Sequence, residues 1–436
     1  MKANELISYI ENGELDHRLL DIYLDESKLS YQRERYIKAV DAFTELYPES
    51  KDSKLSIISA PGRTEVGGNH TDHQHGQVLA ASINDDAIAI VSKPTDESSG
   101  NMVHIKSEGY DMITIDLNDI SKTDSEEGTT LALIKGVLAG CKDRGYSIGG
   151  FNAYITSDVL GGSGLSSSAA FETVIGNIIS YLFNDGSIDD VTIAIIGQYA
   201  ENIYFGKPCG LMDQMACSVG SLCHIDFGKC DESGRPEIEK IELDMNAEGY
   251  SLCITDTKGS HADLTPDYAA VPSEMKSVAA YFGKEVLIQV PEDEVIAKIP
   301  ELRTKLGDRA VLRAIHFYEE NKRVEAEASA LKNKDFSTFL KSVKASGDSS
   351  FKFLQNVYTN RNVDVQNVSI ALCISEMVLG ENSGVSRVHG GGFAGTIQAF
   401  VRNNKVQEYK KALDNIFGEG SCAVLKIRKY GGIRVL

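Results

Sequence analysis

Four short segments hold most of the residues that could do chemistry. In the first, Ser157 to Ala170 (SDVLGGSGLSSSAA), glycines and serines run directly into an apolar helical pattern that starts around Phe171. Gly161, Gly162 and Gly164 let backbone approach an anion, and the following helix turns its free N–H groups and positive dipole end into the same space, as a phosphate cradle requires. The hydroxyls of Ser163, Ser166, Ser167 and Ser168 add donors and a possible oxygen ligand for magnesium. The Walker pattern GxxxxGK[ST] is absent, and a tight strand-to-helix connection would have a similar composition.

The second segment, Pro61 to Gly76 (PGRTEVGGNHTDHQHG), places His70, Asp72, His73 and His75 within six residues. Three readings stand: a transition-metal site, an ordinary surface turn, or a polar loop that hydrogen-bonds a polyhydroxylated ligand while Arg63 reaches a phosphate or carboxylate. No second His or Cys cluster is available to complete a metal site, which favours the ligand loop. In the third, Gly206 to Gly220 (GKPCGLMDQMACSVG), Pro208 and Gly210 shape a turn that delivers Asp213 between Met212 and Met215. A carboxylate in that setting needs partners, unless it only caps the next helix. The fourth, HGGGFAG at His389 to Gly395, lets backbone approach backbone or ligand.

The elements that would position these loops can be read from periodicity. Residues 1–53 form amphipathic helices that end at the Pro48-Glu49-Ser50 turn. From Leu55, LSIISAP, QVLAASI, AIAIVSK, MVHIKS and MITIDL read as separate short strands. A helix over 131–144 and the strand FNAYITSDV lead into the glycine/serine loop, and helices follow over 169–183 and 191–205. SLCHIDF and YSLCITDT close a first unit near residue 258. From 265 to 380 the chain is mostly helical, with EENKRVEAEASALKNKD as a solvated helix pair, and the tail ends in a β-α-β pattern. The expected division is 1–53, 54–258 and 259–436.

Composition narrows the function. With 44 basic and 63 acidic residues the formal charge is −19, which disfavours nucleic acid and anionic membranes as partners. The N-terminus lacks the apolar run of a signal peptide, no stretch reaches the length of a membrane span, and the 8 cysteines form no CxxC pair. These features fit a cytoplasmic protein with reduced thiols; self-association cannot be read from them.

In order and spacing the four segments resemble the GHMP family of small-molecule kinases, and within it the galactokinases. Their signature GR-x-N-x-I-G-E-H-x-D-Y is similar to GRTEVGGNHTDH here, and P-x-x-x-G-L-S-S-S-A to VLGGSGLSSSAA. E-x(8)-G-I-M-D-Q is similar to ENIYFGKPCGLMDQ, and G-G-G-F-G-G to GGGFAG. The resemblance runs from about Leu55 to the C-terminus. It implies an α+β, two-domain GHMP kinase fold: an N-terminal α/β domain with a mixed sheet and a C-terminal ferredoxin-like domain. It implies transfer of phosphoryl from magnesium-ATP to the anomeric hydroxyl of galactose. Gly161, Gly162, Ser163, Gly164, Leu165, Ser166, Ser167 and Ser168 would hold the nucleotide, supported by Gly391, Gly392 and Phe393, with Ser168 and Glu201 as magnesium ligands. Arg63 and Asp213 match the catalytic pair, while Asn69, His70, Asp72, Gly210, Asp213 and Tyr268 match sugar contacts. Arg63 should lower the pKa of Asp213, making it first an orienting group and then a late proton acceptor.

The chain departs from the pattern mainly on the sugar side. Asn69 stands in place of Glu, His73 in place of Tyr, and Val159-Leu160 where the phosphate loop has Pro. Tyr268 leads into AAVPSEM without the usual Tyr-x-x-Arg-Arg run. A carboxylate at the family's Glu would repel an acidic sugar by about 4 kcal/mol at about 4 Å and an effective dielectric near ~20. The neutral Asn69 therefore leaves galacturonate, an amino sugar such as N-acetylgalactosamine, or a pentose as alternatives to galactose. A non-catalytic sugar and ATP sensor is a further alternative, against which the intact Ser168-Ala169 pair speaks.

Overall fold

The computed structural model describes residues 1–95, 100–159, 164–260 and 264–436. Three N-terminal helices, α1 (Ala3–Glu11), α2 (Asp16–Tyr23) and α3 (Leu29–Leu46), precede strands β1 (Ser56–Gly67), β2 (Gln77–Ser92), β3 (Met102–Ser107) and β4 (Met112–Asp116). Helix α4 (Thr130–Asp143), strand β5 (Phe151–Ser157) and helices α5 (Ser167–Phe183), α6 (Asp190–Tyr199) and α7 (Met212–Val219) follow. Strands β6 (Leu222–Cys230) and β7 (Pro236–Ile241) then complete this stretch of the chain. The sheet runs β12-β1-β2-β5-β3-β4, with β6 paired to β2 and β7, where β12 is the C-terminal Ile433–Arg434. Its β3–β5 pair is parallel and its other pairs are antiparallel, giving the mixed sheet that was expected.

Both faces of β1 and β2 are covered, which explains their nearly unbroken apolar runs. Ile58, Ala87, Ala89 and Val91 pack with α4 and α5, whereas Ile57, Ile88 and Ile90 pack with Leu6, Leu19, Tyr36 and Phe43 of the N-terminal helices. The first 53 residues are thus one layer of the core.

The second sheet is antiparallel, β11-β8-β10-β9, formed by β8 (Tyr250–Asp256), β9 (Gly384–His389), β10 (Thr396–Arg402) and β11 (Cys422–Leu425). Between β8 and β9 lie α8 (Thr265–Tyr281), α9 (Glu292–Ala297), α10 (Ile299–Leu306), α11 (Asp308–Lys332), α12 (Phe336–Ser349) and α13 (Asn367–Leu379). Helix α14 (Val406–Phe417) connects β10 to β11. Among the described residues no helix is long and apolar enough to cross a membrane.

Three expectations need correction. YSLCITDT does not close the first unit: its strand, β8, is an inner strand of the second sheet. QVLAASI and AIAIVSK are one strand, because the polar residues read as a break have partners. Asn84 donates to the Tyr23 carbonyl and accepts from the Lys426 N–H, and Asp86 is paired with Arg35 and Arg428. EENKRVEAEASALKNKD is not a solvated pair: most of it lies in the continuous helix α11, whose Glu320 and Glu327 are fully buried. The sequence reading also missed β7.

Candidate active site

β1 carries Arg63 into the site at a register shift against β2, where a bulge re-aims the strand's side chains. Its guanidinium donates from Nε to Asp213 Oδ1 at 2.6 Å and from Nη2 to Asp213 Oδ2 at 2.8 Å, a forked pair. Its remaining nitrogen, Nη1, donates to the carbonyl of Gly164, and Ser166 donates its hydroxyl to Asp213. Asp213 lies in the first turn of α7 and makes no capping bond, so it serves Arg63 and Ser166 instead of the helix end. Burial pushes its pKa up, but Arg63, Ser166 and Lys207 outweigh that and hold the carboxyl below its ordinary value, the direction expected from sequence.

The end of the phosphate-type loop is laced to β1: Arg63 N–H donates to Leu165 O at 3.0 Å, and a Cβ on Gly62 would meet that carbonyl at 2.8 Å. Ser166 sits in the left-handed region (φ 58°), and Ser167 opens α5. Gly164, Leu165, Ser166, Ser167 and Ser168 thus stand at the N-terminal end of that helix; Gly161, Gly162 and Ser163 lie outside the described residues.

Directly after α6 the chain widens into a π-helix, Ala200–Phe205, a feature that often marks functional positions. It buries Glu201, whose Oε1 accepts from Ser168 Oγ at 3.4 Å and from Lys207 Nζ at 3.0 Å. The amide of Gln214 bridges Glu201 Oε2 at 2.8 Å and Glu172 Oε2 at 3.1 Å. Burial and the neighbouring Glu201 raise the pKa of Glu172 well above the carboxylate range. Glu172, Lys207 and Gln214 were missed as site residues. The helical spacing from Ser168 to Glu172 was the available signal for the first.

The carboxylate of Asp72 occupies the space a Gly210 side chain would need: a Cβ there would lie 1.8 Å from Asp72 Oδ2. His70, in the left-handed region, packs its ring against His73 and bonds through Nε2 to Gly391 O at 3.2 Å. Burial, helped by His73, drives the His70 pKa down to about 3, so it works as a neutral imidazole. Tyr268 donates to Gly392 O at 2.8 Å and stands edge-on to Phe393. The glycine loop 390–392 therefore faces the expected sugar residues, while its neighbour His389 lies 3.5 Å from a Cβ built on Gly164. Among the described residues no three His, Cys, Asp or Glu side chains converge as metal ligands.

Asn69 departs from expectation. It is completely buried, and its amide donates to Glu65 Oε1 at 3.0 Å and Gly390 O at 2.8 Å. Its carbonyl accepts from Asn356 Nδ2 at 2.8 Å and Ser350 Oγ at 3.2 Å. These four bonds leave it no free face for a sugar; it ties the 67–76 segment to the second half of the chain. Against the signature, Asn and Glu have exchanged places: Glu65 stands where the pattern has Asn, and pairs with buried Arg387. Burial outweighs that pairing and pushes Glu65 up to about 7.

Comparison with known proteins gives the family of the chain. The model of the GHMP kinases N terminal domain matches residues 132–221, and the galactokinase galactose-binding signature matches 41–93, so the likeness begins within α3, before Leu55. A galactokinase of Glaesserella parasuis is 30% identical over 82% of this chain and 88% of its own length. One of Clostridium tetani is 28% identical over 86% and 91%. A Lactococcus lactis galactokinase, solved in complex with galactose, superposes with a TM-score of 0.75 at 24% identity, covering 91% of this chain and 99% of that one. The Methanococcus jannaschii mevalonate kinase shares the fold more distantly, with a TM-score of 0.59, 16% identity and coverage of 86% and 98%. The Arg63–Asp213 pair beside a serine-rich helix start, and this degree of identity over most of both chains, place the protein in the galactokinase family of the GHMP kinases.

Proposed function

We propose that this sugar kinase transfers the terminal phosphoryl group of ATP to the anomeric hydroxyl of galactose, with magnesium as the metal. The observation that carries the reading is the forked Arg63–Asp213 pair, held at the end of the serine-rich loop by Ser166 and Gly164. Phosphoryl transfer asks a protein mainly to position the acceptor oxygen and to offset charge on the moving group. Asp213, kept ionised by Arg63, orients the sugar hydroxyl and takes its proton as the bond to phosphorus forms. Arg63 offsets the charge that develops beside it. His70, Asp72, Gly210 and Tyr268 shape the sugar side.

The donors present fit a magnesium ion: two hard oxygens, Ser168 Oγ and Glu201 Oε1, meet at 3.4 Å, and the Lys207 ammonium already stands at that carboxylate as a cation. Bound there, the metal would supply charge neutralisation to the phosphates. Galactose is favoured over an acidic sugar by the galactose-binding signature over residues 41–93 and by the galactokinase relatives. ADP release should be fastest with galactose in a panel with galacturonate, N-acetylgalactosamine and arabinose. Asp213→Asn should lower kcat by roughly a hundredfold or more. A flat substrate profile, or near wild-type turnover of that variant, would defeat the proposal.

A further inference from the structure

Lys207 lies in the Gly206–Gly220 segment but matches no residue of the signatures quoted for it. It follows Gly206, whose left-handed backbone (φ 80°) ends the π-helix, and its own N–H donates to Glu201 O at 3.1 Å. That folds the lysine back over Glu201. The side chain is 63% exposed and its carboxylate partner 5%, so the ammonium enters from the solvent side and ends on a buried oxygen. The same oxygen, Glu201 Oε1, accepts from Ser168 at the start of α5.

An ordinary surface ion pair would have two exposed partners and contribute little. Here one partner is buried near two further carboxyl groups, Glu172 and Asp213, and most donors of the nearby guanidinium are taken. All three nitrogens of Arg63 are engaged, two by Asp213 and one by the Gly164 carbonyl. An incoming phosphate tail therefore meets, besides the two N–H groups that Arg63 has left, an ammonium with three donors whose sole salt-bridge partner among the described residues is Glu201. The flexible four-carbon stem of Lys207 lets its ammonium swing from Glu201 to a phosphate that arrives beside it.

We propose that Lys207 is a phosphate-contacting catalytic residue that holds Glu201 until the nucleotide binds and then passes to its terminal phosphate. This rests on the kinase reading above. The test is calorimetric binding of ATP in the presence of EDTA and of magnesium, for wild type, Lys207→Met and Lys207→Arg, with sugar-dependent ADP release alongside. Losing one charge-assisted bond should weaken metal-free ATP about tenfold or more in Lys207→Met. Magnesium-ATP, whose charge the metal largely offsets, should weaken less, by about threefold or under, while kcat falls about tenfold or more at nearly constant sugar KM. Lys207→Arg should recover most of both. Equal affinity of wild type and Lys207→Met in both media overturns the proposal, as does an equal loss in both, which would mean that the lysine only screens Glu201. Wild type that binds no ATP in either medium would instead overturn the kinase reading itself.

Discussion

Replacing Asn69 with alanine separates a buried latch from a sugar contact. The change removes the side chain's hydrogen bonds to four partners, Glu65, Gly390, Asn356 and Ser350. Asn356 Nδ2 keeps a second acceptor, Gly391 O at 3.3 Å, and the Glu65 carboxylate keeps Arg387. The Gly390 carbonyl and the Ser350 hydroxyl lose the partners they have. Two buried polar groups left unpaired cost roughly 2–5 kcal/mol. For a chain of 436 residues the unfolding entropy is about 0.9 kcal/mol per kelvin, so Tm should fall by roughly 2–5 K if unfolding is one transition. The loop that carries His70 and Asp72 loosens as well, so kcat drops along with Tm. The assay pairs differential scanning calorimetry with steady-state kinetics in galactose. An unchanged Tm with a sugar KM raised tenfold or more would refute the reasoning and return Asn69 to the sugar pocket.

Gly210→Ala should abolish most activity, since its Cβ would fall 1.8 Å from Asp72 Oδ2 and one of the two must move; kinetics with an unaltered sugar KM would contradict this. Asp86→Ala should leave the buried arginines Arg35 and Arg428 without their shared carboxylate and cost about 3–5 kcal/mol, read as a lower denaturant midpoint. The pH dependence of stability follows from Glu65, raised by burial from 4.5 to about 7. The folded state then binds a proton more tightly than the unfolded chain, so its contribution is fully present below about 4.5 and is lost as the pH rises through about 7. Melting temperatures of wild type should therefore fall relative to Glu65→Gln across that window; parallel curves would speak against it.

The amino-acid order alone pointed to the candidate loops, because their requirements are local. A phosphate cradle needs small residues before a helix, and 157–170 has them. A carboxylate pressed between methionines needs a cation, and Asp213 found Arg63 at 2.6 Å. The helices of residues 1–53 and the first strands were legible from apolar periodicity for the same reason. What the tertiary structure decided was the satisfaction of polar groups by distant partners. Asn69 looked like a ligand contact until Asn356, 287 residues away, and Gly390 took up its amide. Asn84 and Asp86 looked like a turn until the N-terminal helices and the C-terminal segment supplied donors and acceptors. Glu320 and Glu327 looked solvated until α11 packed them against β1, where Glu320 accepts from Gly68 N–H and the Glu327 carboxylate fills the space beside Gly67. Hydrogen bonds and ion pairs act within a few ångströms, so a polar residue's role is set by what the fold brings beside it, which local sequence does not record.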